Sequence, residues 1–367
     1  MKKYRFTRRI GLAIVCAMLS TLVQAGSAYA ATQHTQAVAS DTSRSAIAQP
    51  LHMTRLHSVL NDIPTRLQWE GNYGYCGEVS MISAGLYYGQ YLSQYDVRAI
   101  ASPNLKQYKP QAQLLLGVNA VSTAQRLRLT SKAVASKRPE IFYAWIKEHV
   151  VKGYPVIMGV FTNEYLFYGA THPNAGDAVY DHLVPVLGVG SDFPLNTGYH
   201  PTDVIQFSDN FAQSPYYALE IKDYLANRQV ANAQHGNTYS LPAYPITKYG
   251  LAITGVLDKY HETLPVRLTT NINYERPAIV NNTATRPKAR PIKLTITLSS
   301  LQAGEHYNLY YYANQNDVPS EFFNKTSANA GILPWKTLSA SGNTWTTSLT
   351  IKSSDKAFFR AVKANGP

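Results

Sequence analysis

Residues Gly71-Asn72-Tyr73-Gly74-Tyr75-Cys76-Gly77-Glu78 form a glycine-rich turn that runs into a helix. The helix is read from Val79, Ile82 and Leu86, which recur at helical spacing with small Ser83, Ala84 and Gly85 beside them. A helix start carries unpaired backbone N–H groups and the positive end of the macrodipole, and both favour thiolate over thiol. The thiolate is the nucleophilic form of cysteine. Gly74 and Gly77 lack Cβ atoms and allow a substrate backbone to approach closely. Cys76 is therefore the candidate nucleophile. A cysteine that only fills space in a core needs none of this context.

A sulfur nucleophile needs a proton partner, usually histidine. Of the ten histidines, His34 lies near the N-terminus, His149 falls within a second helical pattern, and His261 and His306 belong in or near the C-terminal region. His182 stands apart. It opens the apolar strand Leu183-Val184-Pro185-Val186-Leu187-Gly188-Val189-Gly190, a position that fixes a ring at the edge of a cleft. The imidazole needs an orienting acceptor in turn. After the strand Val204-Ile205-Gln206-Phe207 comes Ser208-Asp209-Asn210-Phe211, and either Asp209 or Asn210 can serve. Strand alternation puts Asp209 on the face of Ile205 and Phe207, although a turn at Ser208 would exchange the two.

Outward from this centre the chain divides into regions. Residues 1–30 combine Lys2, Lys3, Arg5, Arg8 and Arg9 with an apolar run from Ile10 to Val23 and an Ala28-Tyr29-Ala30 cleavage signal. This is the pattern of a secretory signal peptide. Its removal takes away five basic residues and no acids, lowering the net charge from +12 to +7. The mature protein is expected to be secreted, periplasmic or extracellular, and soluble. No later stretch approaches the roughly 18 apolar residues of a membrane span. No basic run interleaved with aromatics points to nucleic acid. Cys16 leaves with the signal, so Cys76 remains the only thiol in a compartment where disulfides form.

Residues 31–60 read as a disordered leader or short pro-segment, rich in Ala, Ser, Thr and Gln up to about residue 50. Residues 61–264 read as the catalytic domain. It holds a second helix from Pro139 to Gly153, a buried strand from Pro155 to Phe161, and a further strand at Leu251–Leu257. Pro277, Pro287 and Pro291 mark an irregular crossover. Residues 265–367 then alternate in strands without a clear helix, which predicts an all-β sandwich.

Taken together these residues resemble the papain-like cysteine peptidases. Gly74-Tyr75-Cys76 is similar to the family's turn into its central helix. Asp181-His182-Leu183-Val184 through Gly188 and Gly190 is similar to its histidine strand, and Asp209-Asn210-Phe211 to its orienting segment. The order Cys, His, Asn/Asp is the family's order. Gly77 stands where papain-type enzymes usually carry Trp, a pairing more similar to leader-peptide-processing relatives.

The resemblance implies an α+β fold with a two-lobe papain-like catalytic domain, helical on one side and β-rich on the other. It also implies a secreted thiol protease that hydrolyses peptide bonds through an acyl-enzyme. Gln68, eight residues before Cys76, or Asn72 as a fallback, would donate to the oxyanion. Trp69, Tyr73, Gly74, Tyr75, Gly77 and Asp181 would line the substrate cleft. The same site could serve an acyltransferase or transglutaminase, and a catalytically silent binding protein could use the same fold. No cofactor is implied, and His172, His182 and His200 lack metal-ligand spacing. The expected partner is a protein or peptide substrate, with the C-terminal region or the N-terminal segment able to dock on the catalytic domain.

Overall fold

The computed structural model describes residues 55–69, 71–169, 172–211, 216–233, 238–271 and 286–364. The expectations for residues 1–54, signal peptide included, lie outside the described residues. The described residues all fall within one compact unit. It is a mixed α+β structure built on antiparallel sheets.

The principal sheet has nine strands. Its main path runs β3 (Leu129–Ser136), β10 (Lys248–Val256), β4 (Val156–Thr162), β5 (His182–Ser191), β6 (Val204–Ser208) and β7 (Tyr216–Glu220). β1 (His57–Leu60) adds to β5, pairing His57 with Ser191 and Leu60 with Gly188. β9 (Tyr239–Pro242) continues from the end of β4, and β8 (Leu225–Ala226) pairs with β9 in parallel. The ordered fold thus begins before residue 61. His57–Leu60, expected within the leader, is a sheet strand.

Both faces of this sheet are covered, which explains the uninterrupted apolar run of β4. Ile157 packs with one core cluster, while Val156, Met158 and Val160 pack with the other. On the second face lies α4 (Pro139–Val151), through Phe142, Tyr143, Ile146 and Val150. Pro139 sits in its first turn, and Gly153 follows its end at φ 80°, a left-handed conformation that glycine adopts without strain.

On the first face lies α1 (Cys76–Tyr87), the helix read from the Cys76 segment. All residues from Gly77 to Leu86 are buried. A helix buried on every side belongs inside a core, and its polar Glu78, Ser80 and Ser83 are buried with it. α2 (Gln94–Ala101) and α3 (Ala120–Arg126) flank it, contributing Val97, Ala101, Ala120 and Ala124 to the same cluster.

The C-terminal region supplies two more sheets. One joins β11 (Thr263–Leu264), β17 (Ala357–Lys363), β14 (His306–Tyr312) and β15 (Lys336–Ser339). The other joins β12 (Val266–Thr270), β13 (Pro291–Leu298) and β16 (Trp345–Lys352). Alternation along β13 is regular: Ile292, Leu294, Ile296 and Leu298 are buried. The expected boundary at residue 265 separates no independent core. β2 (Gln90–Tyr91), directly after α1, pairs with Phe358 and Ala357 of β17. Leu268, Ile292, Leu309 and Phe359 pack in one cluster with Met81 and Leu86 of α1. The all-β expectation also misses a short helix at Phe323–Asn329. Among the described residues, no helix is long and apolar enough to cross a membrane.

Candidate active site

The turn entering α1 is wound backwards. Gly71, Asn72, Tyr73 and Gly74 all have positive φ, at 118°, 51°, 64° and 83°. For Asn this is tolerable, but for Tyr it is strained. Strain of this kind persists only where surroundings over-determine it. Here they do. The Arg98 guanidinium, from α2, donates to the carbonyl of Asn72 at 2.7 Å, to that of Gln107 at 3.1 Å and to that of Gly74. It also pairs with Glu78 at 2.6 Å and covers the Tyr75 ring at 3.6 Å from its centroid. Arg98 and Glu78 are both 1% exposed.

Cys76 opens the helix half-buried, and no side chain among the described residues caps its N-terminus. The first-turn N–H groups are thereby left without the usual side-chain acceptor. Gln68 lies beneath the turn. Its Oε1 accepts from the Tyr75 backbone N–H at 2.8 Å, and its backbone N–H donates to the Asn210 backbone carbonyl at 2.6 Å. Gly74 suits this turn, since its φ of 83° would strain any other residue and a Cβ would stand 3.1 Å from that same Oε1. The Asn72 amide is turned inward and donates to the Tyr75 hydroxyl at 3.0 Å.

His182, at the first position of β5, is near enough to Cys76 for the two side chains to interact. Its Nε2 lies 3.7 Å from Asp209 Oδ1, an ion-pair distance too long for a hydrogen bond. Burial disfavours the imidazolium, but interaction with Asp209 and with Cys76 outweighs burial and lifts His182 to about 9. Asp209 is 1% exposed and its Oδ1 is anchored by the Phe211 N–H at 2.8 Å. Tyr239, from β9, stacks on the His182 ring at 5.7 Å and 15°, and packs edge-on against Phe207 and Tyr217. The Cys76 and His182 segments come together because α1 lies across β5. Asp209 joins them because β6 is the neighbour of β5.

The structure separates Asp209 from Asn210. The Asn210 amide points to Cys76 O, Ser80 Oγ and Leu183 O, not to the imidazole. The strand alternation that put Asp209 on the Phe207 face is kept through Ser208.

Several residues expected to line a cleft do other work. Trp69 and Tyr75 are 5% and 3% exposed and pack edge-on at 5.3 Å, so they support the turn from below. Gly77 faces the Leu114 backbone, whose carbonyl oxygen a Cβ would overlap; its smallness serves helix packing. The Asp181 carboxylate points away from the sulfur. It accepts from the Thr162 N–H at 2.8 Å and the Asp177 N–H at 2.6 Å, and it pairs with Arg228. It braces the loop before His182. Of the expected lining residues, Tyr73 stays exposed and Gly74 half-buried.

Ser80, Arg98 and Tyr239 carry no role in the sequence reading. Ser80 was within reach, being four residues after Cys76 on the same helix face. Arg98 and Tyr239 leave no local signal, because each acts on a segment far along the chain. Among the described residues, no group of three or more His, Cys, Asp or Glu could hold a metal ion. A surface depression of about 470 Å³, lined by residues such as Ala99, Arg126 and Asn316, includes none of the site residues. Comparison with protein-family models, with curated proteins and with solved structures finds no match to this chain.

Proposed function

We propose that this protein is a cysteine peptidase of papain-like character, acting on exported or extracellular polypeptides. The observation that carries the reading is the meeting of three remote side chains in one buried spot. Cys76 is at an uncapped helix start, His182 is lifted to about 9 by its neighbours, and Asp209 is behind the ring.

The chemistry follows from the atoms. Cys76 Sγ attacks the substrate carbonyl, forming a C–S bond while the carbonyl oxygen takes up negative charge. The Cys76 N–H and the Gln68 side-chain N–H₂ receive that oxyanion. Gln68 suits this role better than Asn72, because its oxygen is committed to the turn and its nitrogen remains to donate. One such donor is worth about 3–4 kcal/mol in other enzymes. His182 Nε2 faces Asp209, so Nδ1 deals with the sulfur and the leaving group. It gives its proton to the departing amine as the C–N bond breaks. It then takes a proton from water, whose oxygen attacks the thioester and frees the acid and the thiolate. Asp209 offsets the imidazolium charge, and Tyr239 shields the pair from solvent. The two-lobe description of the fold, and a sandwich formed by the two C-terminal sheets, belong to the same proposal.

The test is labelling by a peptidyl epoxide, with the modified residue mapped by mass spectrometry, alongside hydrolysis of a peptide library. Modification at Cys76, and loss of hydrolysis in a folded Cys76→Ala variant, is expected. Hydrolysis that survives Cys76→Ala would refute the reading. Adducts formed only with added amines would instead mark an acyltransferase.

A further inference from the structure

Asn210 is 1% exposed and touches three segments that are remote in sequence. Its Nδ2 donates to Leu183 O at 2.8 Å, one residue after His182. It also lies 3.2 Å from Cys76 O and 3.1 Å from Ser80 Oγ. The Ser80 hydroxyl closes the joint, at 2.7 Å from Cys76 O and 3.2 Å from Leu183 O. Separately, the Asn210 backbone carbonyl accepts the Gln68 backbone N–H. The amide orientation is dictated by its surroundings, since a flipped amide would set Oδ1 against two carbonyl oxygens. In the observed orientation Oδ1 is buried with no hydrogen-bond partner among the described residues. An acceptor left unsatisfied costs stability, so the donor side must matter more.

We infer that the Asn210 side chain is the positioning group that sets the sulfur-bearing helix and the imidazole-bearing strand relative to one another, and that it is not the acceptor for the His182 ring. The inference rests on the acyl-transfer reading of Cys76. The physical need is clear. α1 is packed on β5 by apolar contacts, which are non-directional and leave sliding along the helix axis weakly opposed. Hydrogen bonds from Asn210 and Ser80 are directional and fix that slide. The pair Asp209-Asn210 divides its labour: one side chain supplies charge to the ring, and the next supplies registry to the elements that carry the chemistry.

The experiment compares purified wild type with Asn210→Ala, Ser80→Ala, their double variant and Asp209→Asn. Cys76 alkylation by iodoacetamide is followed against pH, and kcat and KM are measured on a hydrolysed peptide. Asn210→Ala is expected to lower kcat roughly 10- to 100-fold, as an error of about 1 Å in placement does, with KM little changed. The inflections of its alkylation profile are expected to stay at wild-type positions. Asp209→Asn is expected to move the His182 inflection downward. Ser80→Ala should give a smaller loss, and the double variant less than the sum, because both act on one joint. If Asn210→Ala fails to fold, Ser80→Ala carries the test alone. The inference is overturned if Asn210→Ala, or Ser80→Ala in its place, leaves kcat unchanged, raises KM only, or shifts the inflection as Asp209→Asn does. A wild type whose Cys76 alkylates no faster than free cysteine, with no histidine-linked inflection, would overturn the catalytic reading itself. That outcome is distinct from the others.

Discussion

The turn 71–75 enters Cys76 in the grip of Arg98, and the loop 177–181 enters His182 in the grip of Arg228. Arg98 faces one carboxylate, Glu78, at 2.6 Å, and both are sealed from water. Its remaining donors go to backbone carbonyls, and Glu78 also accepts the Leu114 N–H at 3.0 Å. That arm is neutral and its hydrogen bonds are well satisfied. Arg228 pairs with Asp181 and donates to Thr162 O and to Asn232 Oδ1 at 2.9 Å. Around it stand two further carboxylates. Burial, and then the Asp181 charge, raises Glu164 to about 7, and the same two causes raise Asp177. The difference teaches that an ion pair braces a loop at every pH only if its charges balance. Where acids outnumber the cation, the brace takes up a proton.

Three measurements would break or sharpen this contrast. The largest effect is expected from Arg98→Ala. It strands Glu78 in the core, which for buried pairs costs about 3–5 kcal/mol. It also frees a turn with four positive φ values, so urea unfolding should weaken and Cys76 labelling should fall together. Labelling that survives a loss of that size would show that the turn holds itself.

Arg228→Ala should cost less, about 1–3 kcal/mol, because backbone donors still hold Asp181. Its cost should grow with pH, since the carboxylates left behind repel once ionised. A cost equal at acid and alkaline pH would remove the distinction between the arms.

The smallest effect concerns Glu164 alone. Its proton affinity rises on folding, from the ordinary 4.5 to about 7. Its contribution is therefore fully present below about 4.5 and lost as pH rises through about 7. Glu164→Gln should flatten that part of the melting-temperature profile. His182, raised from 6.5 to about 9, acts in the same direction but mostly at higher pH. The decline above pH 7 should thus survive Glu164→Gln. A wild-type profile flat between 4.5 and 7 would contradict the charge surplus.

Much of this site was legible along the chain. β4, β5 and β6 are short apolar runs bounded by turn residues, and the covered sheet preserves them nearly as read. His182 opens its strand, and Asp209 keeps the side that alternation assigned. The arms were not legible. Trp69, Tyr75 and Asp181 have cleft-like neighbours in sequence, yet their side chains point into the protein. Burial depends on what crosses above a residue, and Gln94, Arg98 and Arg228 come from elsewhere in the chain. How the tail joins the rest was not legible for the same reason. Nothing in Gln90-Tyr91 announces a strand pairing with Ala357-Phe358.

Residue type and spacing alone marked the candidates for chemistry: a thiol at a helix start, an imidazole at a strand start, and a carboxylate beside an amide just after a strand. These depend on local backbone periodicity, which neighbours in sequence enforce. Tertiary structure alone decided which of two adjacent side chains meets the ring, which aromatics face solvent, and how a backward-wound turn is held. Those outcomes depend on burial and on paired charges contributed by distant segments, and such forces act through space.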